Sequence, residues 1–352
     1  MSQVVRLSDV AKAAGVSQGT ASNVFNRPDI VRKEVRERVE AAARALGYAG
    51  PDPKGRLLRA GKVNAIGVAT AEPLSHFFDD PYARVLMAGI AGACDAQGAG
   101  ISLVSAANDE KLAWNIQSAI VDGFVLFCVE GGNRLVELTR ERRLPFVALG
   151  LEHEDASISM VGIDDHAGAE VIAAHLVDLG HRRLAILSLQ LVDGRTGPVT
   201  DAEIVSAIYH NSRYRIEGYR AALVGHGIDP STVPVHETEN DRASVEAALA
   251  MLFASDSPPT ALLCMSDRIA LFALAWLSAR GIAVPGEVSV AGFDGVPEGI
   301  TSDPPLTTVS QPIEAIGRTA VQAIFEDAGE PRHIRLDVAL TIRASTAAPR
   351  AG

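Results

Sequence analysis

Polar side chains that can bond to a nucleic-acid base are grouped near the start of the chain, in the stretch DVAKAAGVSQGTASNVFN at residues 9–26. Gln18 and Asn23 carry amides, each able to form two hydrogen bonds with the edge of one base. Small hydroxyl and amide groups, which are suited to holding phosphate oxygens, surround them at Ser17, Thr20, Ser22 and Asn26. This set predicts a contact with nucleic acid, and a solvated polar face on a small helical bundle is the alternative.

Three short helices are predicted to position these side chains within residues 1–49. Apolar residues recur at helical spacing up to Gly15, which supplies a turn, and Ser17 can cap the second helix. A third amphipathic stretch, Lys33–Leu46, is ended by Gly47. A second helix that places its N-terminal residues in the major groove is the arrangement of helix-turn-helix proteins.

Charge divides the chain close to the same place. Residues 1–62 hold 12 Lys and Arg against 6 Asp and Glu, whereas the remaining residues hold 20 against 37. A basic segment on an acidic body indicates that only the segment meets a polyanion. Residues 50–62, GPDPKGRLLRAGK, are predicted to be a linker, and a helix formed by its GRLLRA core is marginal by itself.

From residue 63 onward, to residue 352, short apolar runs alternate with amphipathic helices in two successive series. The pattern predicts an α/β body of two doubly wound lobes, with parallel sheets covered on both faces. We expect the first lobe to hold residues 63–162 and 295–325, and the second to hold 163–294 and 326–345. A ligand is expected between the lobes, at the carboxyl ends of the strands.

Several classes of protein are disfavoured by what the sequence lacks. No GxGxxG follows the first strand, no P-loop is present, and no His/Cys cluster has metal-ligand spacing, so we expect no enzyme activity, cofactor or metal. GVSQG at residues 15–19 imitates a nucleophile elbow but connects two helices. The three cysteines are interpreted as buried free thiols. Without an apolar signal core or a run of about 18 apolar residues, a cytoplasmic protein that contacts no membrane is expected.

Motifs along nearly the whole chain resemble those of the lactose-repressor/galactose-repressor (LacI/GalR) family of transcriptional regulators. They include LSDVAKAAGVSQGTASNVFN, VRERVEAAARALGY, HLVDLGHRRLAIL, VSVAGFDGVP and PPLTTVSQP, in this order. The resemblance implies a helix-turn-helix domain joined by a hinge to a body like a type I periplasmic binding protein. It also implies a homodimer or tetramer that binds a palindromic double-stranded DNA operator under the control of a small effector, with sugars as the leading class.

Family positions for DNA contact carry over to residues of this chain. Gln18 and Gly19 fall at the first two base-reading positions and Asn23 at the third, where the family commonly has arginine. Because asparagine prefers adenine and arginine prefers guanine, the operator is expected to differ from the family's commonest half-site. The resemblance also implies that Arg56 contacts phosphate and that Leu58 enters the minor groove as an apolar wedge.

Effector contacts implied by the resemblance lie after strands of the body. Arg215 and Asp294 match residues that bind effector hydroxyls, with an ion pair inside one lobe as the alternative. Ser266 and Asp267 match another pocket position, although Asp267 can instead cap the following helix. Phe77, in the loop after the first strand, is expected to stack on the ligand, unless it packs with a neighbouring aromatic residue.

Three further features carry less specific expectations. Residues 190–211 form a loop longer than the family usually has, which either covers the cleft or is a surface excursion. The adjacent acids Asp164 and Asp165 are interpreted as solvated or helix-capping groups, and His181 as a structural turn residue. The basic segment and the resemblance together predict an effector-controlled repressor; a solute-binding receptor without DNA function is the alternative.

Overall fold

The computed structural model of the chain describes residues 5–50, 62–127, 133–150, 156–326 and 329–350. The chain divides into two compact units, Met1–Val63 and Asn64–Gly352. The expected hinge helix, with the expected contacts of Arg56 and Leu58, lies outside the described residues, as does Cys128. Cys94 and Cys264 are buried free thiols, as predicted.

The first unit is the predicted bundle of three helices: α1 (Leu7–Ala13), α2 (Gln18–Asn26) and α3 (Lys33–Leu46). Gly15 and Gly47 adopt positive φ angles of 61° and 70°, which turn the chain after α1 and α3. Because one face of α2 packs into the shared core, its polar face is left exposed. The core is made of small apolar side chains, namely Val10, Ala11, Ala14, Ala21, Val24, Val39 and Ala43.

The second unit alternates strands with helices from its first residues to its last. Most of its strands have four to six residues, and its helices include several of 12 to 17 residues. In chain order they are β1 (Ala65–Thr70), α4 (His76–Asp79), α5 (Pro81–Gln97), β2 (Gly100–Ser105), α6 (Asp109–Ser118), β3 (Gly123–Phe127), α7 (Asn133–Glu141), β4 (Phe146–Leu149), β5 (Ser159–Ile163), α8 (Asp165–Asp178), β6 (Leu184–Ser188), β7 (Gly197–Pro198), α9 (Asp201–Val205), α10 (His210–Gly225), β8 (Val235–Glu237), α11 (Arg242–Phe253), β9 (Ala261–Cys264), α12 (Asp267–Ser278), β10 (Ser289–Asp294), α13 (Pro297–Thr301), β11 (Thr307–Ser310), α14 (Ile313–Phe325), β12 (His333–Leu336) and β13 (Ala339–Thr341).

These strands build two sheets, one for each lobe. The first sheet has the order β12-β5-β4-β3-β1-β2 and is parallel throughout. The second has the order β13-β11-β10-β9-β6-β8-β7, with antiparallel pairing at its two edges. Apolar runs such as β3 and β6 are buried at every residue, as expected for parallel strands covered on both faces. The prediction of two doubly wound lobes is confirmed.

The predicted division of residues between the lobes is wrong for two strands near the end of the chain, whereas α14 does pack on α5 of the first lobe and β13 does lie in the second sheet. β11 pairs with β10 in the second sheet, although residues 295–325 were assigned to the first lobe. β12 pairs with β5 in the first sheet, although residues 326–345 were assigned to the second. The chain therefore crosses between lobes after β5, after β11 and after β12. The residues of a short strand do not show which sheet it joins, so the sequence pattern does not place these crossings.

Two pairs of helices pack with their backbones unusually close, and glycine makes each approach feasible. A methyl group at Gly89 of α5 would lie 2.2 Å from the backbone oxygen of Glu314 on α14. A methyl group at Gly317 of α14 would in turn lie 2.5 Å from the backbone oxygen of Leu86. A methyl group at Gly218 of α10 would likewise lie 2.2 Å from the backbone oxygen of His166 on α8. Each lobe therefore contains a pair of helices whose contact leaves no room for a side chain at its glycine positions.

Two kinds of feature are absent from the described stretches of the chain. No helix within the described ranges is long and apolar enough to cross a membrane. Those ranges contain no group of three or more His, Cys, Asp or Glu side chains placed to hold a metal ion.

His181 is buried in the second lobe and hydrogen-bonds three different segments of it, in keeping with the structural role predicted for this residue. Its Nδ1 lies 3.0 Å from the hydroxyl of Thr260, and its Nε2 lies 3.0 Å from the Ser289 hydroxyl and 2.9 Å from the Ala347 carbonyl oxygen. The side chain thereby fastens the C-terminal segment to the sheet. Burial lowers the pKa of His181, and the bond to Ala347 only partly opposes that change.

We expect His181→Ala to lower the free energy of unfolding by about 2–4 kcal/mol, because it opens a void and leaves buried polar groups without partners. Since the folded-state pKa is below the unfolded value, wild-type stability contributed by this histidine is present above pH about 6.5 and is lost as the pH falls. Urea unfolding between pH 5.5 and 8 measures both effects. His333→Ala, at an exposed position, is the control; equal losses for the two variants would contradict the assignment.

Candidate functional site

Helix α2 presents the predicted base-reading residues together on one exposed surface. Gln18, Gly19 and Asn23 are exposed, whereas Ala21 and Val24 on the opposite side are buried. The helix can begin at Gln18 because Ser17 caps it. The Ser17 hydroxyl accepts the backbone N–H of Thr20 at 3.1 Å, and the two hydroxyls lie 2.9 Å apart. At the other end, Asn26 donates to the Ser22 hydroxyl at 3.0 Å.

Positive charge accompanies this surface in the first unit. Lys12 at the end of α1, Arg27 just after α2 and Arg32 just before α3 are exposed. Two of the acidic residues in the unit have partners of their own. The Asp9 carboxylate accepts the backbone N–H of Arg6, and Glu37 lies 3.9 Å from Lys33 on α3. Uncharged amides flanked by basic side chains can approach both base edges and phosphates. The nine DNA contacts expected from the sequence remain predictions.

In the second unit, a cavity of about 470 Å³ lies between the two lobes. Its walls are the carboxyl ends of strands from both sheets, which is where ligands bind in open α/β folds. The first lobe contributes Glu72, His76, Asp80, Tyr82, Phe127, Leu149, Gly150, Val161, Gly162, Ile163 and Ile316. The second contributes Asp165, Leu189, Gln190, Tyr209, Asn211, Ser212, Arg215, Glu239, Asn240, Asp241, Ser266, Arg268, Asp294 and Gln311.

Arg215 on α10 is the central cation of the cavity and is only 6% exposed. Its Nε donates to Asp165 Oδ1 at 2.6 Å, and its Nη1 donates to the Met265 carbonyl oxygen at 2.5 Å. Nη1 also lies 3.9 Å from Asp294 Oδ1, and the guanidinium stacks 3.8 Å above the Phe293 ring. Burial alone would lower the pKa of Arg215, but Asp165 and Asp294 raise it above the usual value. The guanidinium is therefore charged and fixed in orientation.

Asp294 is held at the end of β10 in an unusual backbone conformation, with φ of 137°. Gln311 donates to its Oδ1 at 2.9 Å, and the backbone N–H of Asp267 approaches its Oδ2 at 3.3 Å. Burial raises the pKa values of Asp294 and Asp165, and the attraction of Arg215 opposes the rise. The sequence interpretation of Asp165 as a solvated or capping group is wrong, because it is 5% exposed and pairs with Arg215, whereas Asp164 does cap α8.

Two of the five predicted effector residues do not reach the cavity. Phe77 is 2% exposed and packs 5.8 Å from the Phe127 ring centroid, because one turn of α4 points it into the core while His76 faces the cavity. Asp267 is 0% exposed. Its carboxylate instead accepts the backbone N–H groups of Gly295 and Val296, at 2.7 and 2.8 Å, and the hydroxyl of Thr308 at 2.6 Å. It fixes the turn after β10 that carries Asp294.

Ser266 does line the cavity, and it connects several elements there. Its hydroxyl caps α12 by accepting the backbone N–H of Ile269 at 3.0 Å and donates to Asn240 Oδ1 at 2.7 Å. Asn240 in turn donates to Asp80 Oδ2, on the first lobe, at 3.3 Å. The three predicted residues that the cavity brings together are therefore Arg215, Ser266 and Asp294.

Contacts between the lobes at one edge of the cavity were not foreseen from the sequence. Asp80 caps α5 through Oδ1 and accepts Arg268 of the second lobe through Oδ2, at 3.3 Å. A second ion pair joins Arg84 of the first lobe to Glu298 of the second. These residues are far apart in the chain, and only their positions just after strands or at helix starts could have drawn attention to them. They hold the lobes together in this conformation.

Residues 190–211, the long loop of the sequence, form an ordered insert against the second lobe. β7 adds an edge strand to the sheet, and Leu191 and Ile204 are buried in the core. The fully buried Glu237 accepts the backbone N–H of Val192 at 3.0 Å, and Arg195 bridges Glu237 and Glu203. Hydrogen bonds from Arg195 and Thr200 lower the pKa of Glu203 to about 2, so this contact stays charged at neutral pH. Gln190 and Tyr209, at the two ends of the insert, line the cavity.

Comparison with known proteins gives matches over both units. Residues 6–50 match the family model described as bacterial regulatory proteins, lacI family, and residues 173–346 match that of a periplasmic binding protein-like domain. The HTH-type transcriptional regulator Rv3575c of Mycobacterium tuberculosis is 39% identical over 352 residues, with 98% of this chain and 97% of that protein covered. The HTH-type transcriptional regulator IpsA of Corynebacterium glutamicum is 32% identical, with coverages of 91% and 90%.

Solved structures show the same similarity. The Lac repressor dimer bound to operator and the anti-inducer ONPF has a TM-score of 0.77 at 25% identity, with 98% of this chain and 100% of that chain covered. The complex of the transcriptional regulator CelR with cellobiose has a TM-score of 0.69 at 26% identity, with 97% and 99% covered.

Proposed function

The chain belongs to the LacI family of DNA-binding transcriptional regulators. We propose that it is a repressor controlled by a small sugar or sugar derivative that binds between its lobes. The cavity carries this proposal, because fixed donors and acceptors from two lobes converge on one cleft. The similar CelR and Lac repressor structures hold cellobiose and operator DNA respectively, which supports both halves of the proposal.

The DNA-binding half rests on the exposed face of α2. Gln18 and Asn23 read base edges in the major groove, Gly19 adds no side-chain contact, and neighbouring hydroxyls and amides hold phosphates. A homodimer with two-fold symmetry presents two such helices to two half-sites, so the operator is palindromic. The regulator acts in the cytoplasm, where its DNA lies. Phosphate contact by Arg56 and minor-groove insertion by Leu58 belong to the same proposal.

Control by the effector requires that the ligand bind two lobe arrangements with different affinity. Asp80 supports such coupling, because one carboxylate caps a helix of the first lobe and bonds to Arg268 and Asn240 of the second. A ligand seated beside this carboxylate changes the balance between closed and open lobes. The change is passed to the linker and so to the affinity for the operator.

The first experiment is a thermal-unfolding screen of the purified full chain against sugars, sugar derivatives, nucleosides and purines. A ligand at about 100 times its dissociation constant adds about 2.7 kcal/mol of stability. We expect a sugar or sugar derivative to stabilise the chain and to change its affinity for operator DNA measured by fluorescence anisotropy. Gln190→Ala in the cavity wall should lose the stabilisation, and Gln97→Ala, at an exposed position of α5, should retain it. A stabilising ligand with no effect on DNA binding would contradict effector control.

Replacing Asn23 by arginine is expected to change the preferred base at one position of each half-site from adenine to guanine. Selection of the wild type and of Asn23→Arg from a randomised operator pool measures the preference. Asn26→Arg, at a predicted phosphate position, should alter affinity across sequences without changing the preferred base. An unchanged preference in Asn23→Arg would show that Asn23 does not read a base.

A further inference from the structure

Acidic side chains outnumber basic side chains in the lining of the cavity. Six carboxyl groups and two guanidinium groups face the described part of its wall. Three of the carboxyl groups are buried, and three lie nearer the surface, where Glu239 is exposed and Glu72 and Asp241 are half-buried. The buried ones are Asp80, Asp165 and Asp294.

Both guanidinium groups are already neutralised by protein carboxylates. Arg215 lies between Asp165 and Asp294, at 2.6 and 3.9 Å. Arg268 lies 3.3 Å from the Asp80 carboxylate. Glu72, Glu239 and Asp241, here called the acidic rim, form no ion pair with a described residue. An anionic ligand would thus meet excess negative charge without an uncompensated cation to bind it.

Hydrogen-bonding capacity nevertheless remains in the buried part of the cavity. Nη1 and Nε of Arg215 have partners, whereas Nη2 has no hydrogen-bond acceptor among the described residues. Asp165 accepts Arg215 through Oδ1, and its Oδ2 has no donor in the same part of the chain. Both side chains are more than nine-tenths buried and line the cavity. A hydroxyl group can satisfy both, because it accepts from the guanidinium and donates to the carboxylate.

The opposite wall, from the first lobe, is aromatic. The Phe127 ring lies 6.3 Å from Tyr82 with 14° between the planes, and 5.9 Å from His76 with 29°. Leu149 and Ile163 extend this apolar surface. A ligand between the walls therefore meets stacked rings on one side and donors with acceptors on the other. The C–H face of a saturated ring that bears hydroxyl groups at its edge fits both.

We propose that the cavity selects an uncharged, polyhydroxylated ring compound and excludes its phosphorylated and carboxylated analogues, because it offers an anion no uncompensated cation and because the acidic rim of Glu72, Glu239 and Asp241 repels negative charge. This inference rests on the proposed function and names the chemical class of its effector. The rim can repel an anionic ligand effectively because neither guanidinium group is free to bind that ligand. Arg215 and Arg268 cannot turn away from their carboxylate partners without leaving buried charges unpaired.

The test uses matched probes on the full chain, with stabilisation and dissociation constants measured by thermal unfolding and calorimetry. Each of glucose, galactose, trehalose and cellobiose is compared with a phosphorylated or uronic acid analogue, and inorganic phosphate is tested alone. We expect at least one neutral sugar to bind and its anionic analogue to bind about 100-fold more weakly or worse. Inorganic phosphate should give no stabilisation.

The acidic rim is tested by the near-isosteric variant Glu72→Gln/Glu239→Gln/Asp241→Asn, in which the side-chain amide introduced at position 241 can still cap α11. The ratio of neutral to anionic affinity should narrow by about tenfold. The control variant Asp95→Asn/Glu110→Gln/Glu330→Gln removes three exposed carboxylates outside the cavity lining and should leave the ratio unchanged.

Four results distinguish this inference from the function on which it rests. Tighter binding of a phosphorylated or carboxylated member overturns the inference, and so does a panel in which no neutral sugar binds. An anionic ligand that binds more tightly than its neutral analogue and changes operator affinity would leave effector control intact while refuting the inference. A neutral ligand that binds without affecting DNA would support the inference and refute effector control.

Discussion

Replacing Gly89 by alanine is expected to destabilise the second unit by about 3 kcal/mol or more, in the upper range for overpacked sites. The added methyl group would lie 2.2 Å from the backbone oxygen of Glu314, and 2.8 Å from its carbonyl carbon and its Cα. Backbone cannot rotate away as a side chain can, so α5 and α14 must move apart. Since Gly317 mirrors Gly89 across this contact, separation would open the whole helix interface of the first lobe.

Gly92→Ala is the matched control, because it lies one turn away on α5 and no atom would come within 4 Å of its methyl group. At this exposed helical site alanine should stabilise by up to about 1 kcal/mol. Urea unfolding of the two variants measures the difference. If Gly89→Ala were as stable as Gly92→Ala, the close packing of α5 on α14 would be wrong.

Arg215→Ala is expected to lower the free energy of unfolding by about 3–5 kcal/mol, the cost of removing one partner of a buried ion pair. Asp165 and Asp294 would then be buried without a counter-charge. Their pKa values, already raised by burial, would rise further because Arg215 is the main attraction that opposes the rise. A raised folded-state pKa gives stability that is present at low pH and lost as the pH increases. The stability deficit should therefore be largest near pH 8 and should shrink toward pH 5.

Thermal and urea unfolding of the variant across that pH range measures this dependence. The double variant Arg215→Ala/Asp165→Asn removes one of the two orphaned charges and should recover part of the loss, with a weaker pH dependence. Arg213→Ala, on the same helix but outside the cavity, serves as the control for loss of an arginine. A deficit that is constant with pH, or equal in the two single variants, would show that Arg215 does not compensate these carboxylates.

Local patterns predicted the elements well because each depends on neighbouring residues. The caps at Ser17 and Asp164, the turns at Gly15 and Gly47, and the buried strands follow from side-chain type and spacing. The sheets that β11 and β12 join could not be predicted in this way, since both strands have the composition of ordinary strands. Which sheet a strand joins depends on packing of the intervening α14 against α5, and no local pattern records that contact.

The predicted effector residues that line the cavity are those that the family pattern places directly at a strand end or on α10. Arg215, Ser266 and Asp294 are of this kind. Phe77 and Asp267 do not line the cavity, because a shift of one residue on a helical turn exchanges a cavity-facing side chain for a buried one. Asp165 and Asp80 were missed because their partners, Arg215 and Arg268, lie 50 and 188 residues away in the chain. Charge pairing over such distances is visible in the fold alone.

The insert at residues 190–211 has a consequence for engineering of altered regulators. Its ends meet each other, since the backbone N–H of Ile208 donates to the Leu191 carbonyl oxygen at 2.9 Å. A replacement segment joined at these two residues that retains Val192, Arg195 and Ile204, through which the insert contacts the second lobe, would keep α10, and with it Arg215, in place. Lengthening a closed loop is inexpensive, about 0.6 kcal/mol for each doubling. The insert is thus a natural site for a library of exchanged loops, from which biosensors for new compounds are selected while the DNA-binding unit is left unchanged.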